Sequence, residues 1–151
     1  MREHADHHDA ELLLRLYELR REEKLRQARD WFAREFQVRS FEEFGQLCPM
    51  GSEANCYFRM AVSYWEMAAS IVNHGLIKEE LFFESTSEFW LVWDKLKQMA
   101  PAARETYANP LMWKNLETLA GKFEQWMAKR APEALGVFHR RIQEAAAKKT
   151  A

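Results

Sequence analysis

Between Ser52 and Gly75 the polar positions fall on a single line. Asn55, Arg59, Ser63, Glu66, Ser70 and Asn73 are separated by four, four, three, four and three residues, an average of 3.6 that sets them along one edge of an α-helix. The remaining positions are nearly all apolar or small, an apolar surface too wide for one neighbour to cover. The pattern predicts a central helix over about 52–74, wrapped by other helices on most sides. Ser52 is placed to cap its first turn, and Gly75 to close its last in the left-handed conformation.

The same period runs through the flanking chain. Residues 1–8 are polar without periodicity and read as a mobile tail. From Asp9, Leu12, Leu13, Leu16 and Leu19 share a face that Leu25, Ala28, Trp31, Phe32 and Phe36 continue. This predicts one first helix of roughly 40 Å at 1.5 Å per residue, with the charged run RREEKLRQARD protruding from it. Ser40 with Glu43 forms a capping box for a short helix over about Phe41–Leu47. After Gly75, Leu76 and Ile77 supply an apolar residue that packs back on the preceding helix, and helix resumes near Lys78. The patch Glu84 to Glu88 leaves a kink or a restart open before FWLVWDKLKQM. Pro101 opens a short helix to about Tyr107. Asn109 and Pro110 set the cap and first residue of another that runs to about Lys129, and Pro132 opens the last. No segment alternates as a strand does. The expected fold is all-α: one helical bundle of about five to seven helices over 9–148.

Composition narrows the partners. With 48% hydrophobic residues, six Trp and ten Phe in 151 residues, the chain suits one substantial core. Its 22 basic and 23 acidic residues nearly cancel, to a net charge of -1, which argues against nucleic acid as a partner. Its longest uncharged central run, Met67 to Ile77, is too short to cross a bilayer, and no apolar leader opens the chain. Two cysteines, Cys48 and Cys56, fit a reducing, cytoplasmic setting with both as thiols.

The order of phrases is informative as well. A long charged first helix is followed by RSFEEF, a YF-rich helix ending in HGLI, then ELFFE, a Trp-containing helix and NPLMWKNLETLA. Over roughly residues 12–128 this layout resembles small helical bacterial domains of unknown function. The resemblance implies a bacterial source and an all-helical fold, and brings no catalytic residue with it.

Candidate chemistry is sparse. His4, His7 and His8 with Asp6 and Asp9 are metal-ligand types, but they sit in the expected tail with nothing to hold them in place. Cys48 precedes a helix N-terminus without a histidine near it in sequence. Glu80, Glu84 and Glu88 fall at i, i+4 and i+8 and read as a solvated face. His74 suits a helix C-terminus. The sequence assigns no catalytic residue, metal or cofactor. Two function classes remain. The first is a protein-protein interaction or regulatory module, a homodimer or the partner of another protein, docking through Leu12, Leu16 and Leu19 where the long first helix overhangs the bundle. The alternative is a small-molecule binding protein in which Arg59, Ser63 and Glu66 of the polar line take an anionic ligand, framed by Tyr57 and Trp65.

Overall fold

A computed structural model describes residues 3–150, omitting the Thr150 side chain, and these residues are helical apart from turns and short links. Nine helices follow one another among them: α1 (His7–Arg20), α2 (Glu23–Glu35), α3 (Phe41–Leu47), α4 (Glu53–Asn73), α5 (Glu79–Ser85), α6 (Glu88–Leu96), α7 (Ala100–Thr106), α8 (Lys114–Arg130) and α9 (Ala134–Thr150). The expected all-α class stands. The number of helices among the described residues exceeds the expected five to seven because the expected first helix is broken into α1 and α2, and the chain restarts between α5 and α6.

α4 is the central helix, with the expected ends. Ser52 accepts the Asn55 N–H. At the other end Gly75, at φ +77°, lets its own N–H reach the Val72 carbonyl and that of Leu76 reach Ile71, the paired bonds of a Schellman motif. Of the two residues expected to pack back there, Ile77 is fully buried and Leu76 exposed. α4 packs most heavily on α2 and α8, then α6. Its apolar side chains join two aromatic clusters. Phe58 stacks on Phe36 at 5.3 Å between ring centroids and meets Phe44 at 4.6 Å, whereas beyond Trp65 the ring of Phe89 lies 5.2 Å from both Phe82 and Phe123. Each fully buried aromatic or large aliphatic side chain contributes about 2–3 kcal/mol of transfer free energy, so these clusters dominate the core.

The long first helix is corrected to two. Glu22 takes an extended conformation (φ -55°, ψ 139°), and its carboxylate caps α2 by accepting the Lys24 and Leu25 N–H groups. The chain turns a corner there, and no stripe overhangs the bundle. What holds the corner is an ion pair made by Arg29 of the charged run that was expected to protrude. Arg29 donates through Nε and Nη2 to Glu88, at 2.7 and 2.8 Å, and through Nη1 to the Arg20 carbonyl. Trp65 Nε1 donates to the same Glu88 carboxylate. Glu88 is therefore not on a solvated face with Glu80 and Glu84: the chain restarts after Thr86 and Ser87, and α6 turns Glu88 inward. The guanidinium is held above its ordinary pKa by this hydrogen bond, against the opposing effect of burial.

The amino-terminal helix starts at His7, sooner than the expected tail allows. Asp6 and Asp9 cap it reciprocally, and the buried Asp9 also accepts the Lys78 N–H at 2.6 Å. Residues 1 and 2 of that tail lie outside the described residues. α3 keeps its expected bounds, although Glu43 reaches past Ser40 to the Arg39 N–H. α7 carries Pro101 in its first turn, as expected. α8 begins at Lys114, not near Pro110. Asn109 spends its side-chain oxygen on the Leu111 N–H, and the link between α7 and α8 passes through left-handed backbone at Ala108 and Trp113.

Candidate interaction surface

The polar line of α4 divides when side chains are placed on it. At its start, Asn55 donates to the Cys48 carbonyl and accepts from Arg59 Nε at 3.0 Å. Arg59 and Ser63 face solvent. The later half is covered by α8. Glu66 Oε1 accepts the N–H groups of Asn115 and Leu116 at 2.8 and 3.1 Å, and Asn73 Nδ2 donates to the backbone and side-chain oxygens of Asn115.

These bonds make Glu66 the cap of α8. Trp113, the residue at the cap position, has left-handed backbone and no side-chain acceptor, so the first-turn amides take a carboxylate from a neighbouring helix instead. Burial raises the Glu66 pKa, opposed by the two backbone hydrogen bonds and by Arg104. Arg104 fastens the same link, donating to the Met112 carbonyl and to Glu117. Arg59 and Glu66 therefore have separate partners. Tyr57 is half-buried beside Trp31, and Trp65 is in the core with its N–H on Glu88. The five residues do not frame one pocket.

Of the expected interaction residues, Leu16 is 6% exposed and belongs to the core, where the Tyr64 hydroxyl donates to its carbonyl. Burial pushes the Tyr64 hydroxyl up to about 12. Leu12 and Leu19 are partly exposed on one side of α1. Its other side is more open. Leu14 is 62% exposed and Tyr17 47%, three residues apart on one flank. They form the outer edge of an apolar groove of about 290 Å³ between α1, α4 and α5, lined also by Leu13, Leu16, Tyr64, Trp65 and Phe82. Arg20 and Arg21 lie over the Tyr17 ring, at 4.7 and 5.6 Å. Sequence reasoning missed this flank because it continued the leucine face straight into α2. The signal available was Ala10, Leu14, Tyr17 and Arg21, a second line at i, i+4, i+7 and i+11.

The remaining candidates are structural. Cys48 is buried, and desolvation pushes its thiol up to about 11, the opposite of an activated nucleophile. Cys56 is exposed. The ring Nδ1 of His74 lies 2.8 Å from the Ser70 carbonyl at the end of α4, a capping position. His7 and His8 occupy the first turn of α1. Among the described residues no three His, Cys, Asp or Glu side chains are placed to share a metal ion, and no helix is long and apolar enough to cross a membrane.

A family model described as a domain of unknown function (DUF4760) matches residues 5–123, from the start of α1 into α8. No curated protein and no solved structure matches the chain.

Proposed function

Since the chain belongs to the DUF4760 family, whose description carries no activity, we propose on geometry that it is a protein-interaction module whose partner is a second copy of itself, docked through the Leu14–Tyr17 flank of α1. The observation that carries this reading is an apolar groove whose outer edge is formed by two exposed apolar side chains, Leu14 and Tyr17. A surface holding both knob and hollow is self-complementary under a two-fold axis. If the line Ala10, Leu14, Tyr17, Arg21 runs antiparallel against its own copy, Leu14 meets Tyr17, and Arg21 meets the end that carries Glu11. Opposite charges then flank an apolar centre. Covering Leu14 and Tyr17 removes from water the most exposed apolar surface of α1.

The test is sedimentation of the wild type and of Tyr17→Glu. The wild type is expected to form a dimer that dissociates on dilution, and Tyr17→Glu to be a monomer of unchanged helicity. A wild type that stays monomeric up to about 100 µM, where even weak pairs form, overturns the proposal. Leu16→Glu is the contrasting variant: it places a charge in the monomer's own core and is expected to unfold the chain.

A further inference from the structure

On the far side of the bundle, a cleft of about 760 Å³ opens between the end of α2 with the link that follows it, α6, and α9. This is within the size range of small-molecule sites. α9 forms a whole wall of it and lies outside the residues that the family model matches. The lining is mixed. Val38, Ile142 and Ala146 give an apolar side, backed by the buried Phe36, while Arg39, Lys95, Gln98, His139 and Gln143 bring hydrogen-bond donors.

What sets the charge of the cleft is which of its ionic groups already have partners. Both acids do. Asp94, with 9% of its side chain exposed, pairs with Lys97 at 2.8 Å and with His139 Nδ1 at 2.9 Å. Glu43 accepts the Arg39 N–H at 2.7 Å. The imidazole is held from both ends, since Gln143 Nε2 lies 2.9 Å from its Nε2. The bases are not matched in this way. Lys95 donates to the Phe32 and Ala33 carbonyls at 3.2 and 2.9 Å. An ammonium has three donors, so one remains, and among the described residues no carboxylate forms an ion pair with it. The Arg39 guanidinium is exposed and without a polar side-chain partner among the same residues. Burial, with Lys149 close by, already holds the Lys95 amine down at about 8, despite Asp94, and an arriving anion relieves that cost.

We infer that this cleft is a binding site for a small organic anion with an apolar body, a carboxylate foremost. Lys95 and Arg39 take the charged end, and the side formed by Val38, Ile142 and Ala146 takes the body. The inference does not depend on the pairing of α1, which lies on another face of the molecule.

Benzoate and inorganic phosphate are the probes, titrated into the full chain and followed by amide NMR and calorimetry. Benzoate is expected to bind saturably, with shifts confined to the residues of the cleft, and phosphate more weakly. Lys95→Met is expected to weaken benzoate about tenfold or more, since a charge-assisted hydrogen bond is lost, and Lys95→Arg to weaken it less. Arg39→Ala alters an exposed side chain that holds nothing else, so it keeps the fold and tests the site even if Lys95→Met does not fold. Non-saturating shifts with the wild type overturn the site, as does unchanged benzoate affinity in Arg39→Ala. Phosphate binding as tight as benzoate overturns the apolar half of the ligand class.

Discussion

Two half-buried ionisable side chains mark where single residues hold this fold. Glu66 caps a helix to which it does not belong, so Glu66→Ala leaves two first-turn amides without an acceptor and is expected to cost about 1–2 kcal/mol in urea denaturation. Glu66→Gln keeps an acceptor oxygen and should cost less; equal losses for the two variants would mean that the carbonyl-type acceptor is not what matters. Lys95 gives a pH test. Its amine titrates near 8 in the folded chain against 10.5 in the reference state. A depressed lysine contributes stability above its unfolded pKa, and that contribution fades as pH falls through the folded value. Stability should therefore rise between about pH 8 and 10, by roughly 2 kcal/mol relative to Lys95→Met. The comparison must be with the variant, because the Cys48 thiol, raised from 9 to about 11, acts with the opposite sign over nearly the same window. A flat difference between the two proteins across that range would remove Lys95 from the account. The cysteines themselves should separate: one fast thiol in the native protein, from Cys56, and a second released only on unfolding.

At the level of elements, strain gathers in the link between α7 and α8. Ala108 has φ 50° and is exposed, and a left-handed non-glycine residue costs about 1–2 kcal/mol. Ala108→Gly relieves it with no packing lost, and after the larger unfolded-state entropy of glycine a gain of about 0.5 kcal/mol is expected as a raised thermal midpoint. The elements that sequence reasoning placed correctly, α3, α4 and α7, are those marked by their own residues, Ser40, Ser52 and Gly75, and Pro101. Those it misplaced are fixed from elsewhere. α8 starts late because its cap is Glu66, 49 positions back in the chain. The corner after α1 and the restart before α6 share the Arg29–Glu88 pair, which spans 59 positions. Periodicity reports which face is apolar, and α1 and α2 do present apolar faces. It carries no information about a salt bridge between two helices not yet folded together. The polar line of α4 was legible as a line for the same reason, whereas its division into a solvated half and a capping half was not.

For the whole molecule, α9 stands apart. None of its residues from Ala134 to Lys149 is buried, and its ties to the rest include His139 to Asp94, Lys149 to Glu35 and the Phe138 ring near Trp90. A chain ending at residue 131 retains all six tryptophans, so it should keep a cooperative transition and most of its near-ultraviolet signal while losing the cleft; a molten product would show that α9 belongs to the core. The corner at Glu22 has a different consequence. Local preference favours continuous helix through it, and what bends it is one carboxylate cap together with the Arg29 contacts. α1 is docked by a modest surface, by the Asp9 bond to Lys78 and by the Tyr64 bond to the Leu16 carbonyl. Straightened, the corner becomes a hinge over which two copies can exchange their first helices, each α1 making in the other bundle the contacts it makes here in its own. Such an exchanged pair forms only after partial unfolding and does not come apart on dilution, unlike a pair joined at the surface. Glu22→Ala removes the cap and puts a strong helix former at the bend, and is expected to populate the exchanged form as a second, slowly reverting species on gel filtration.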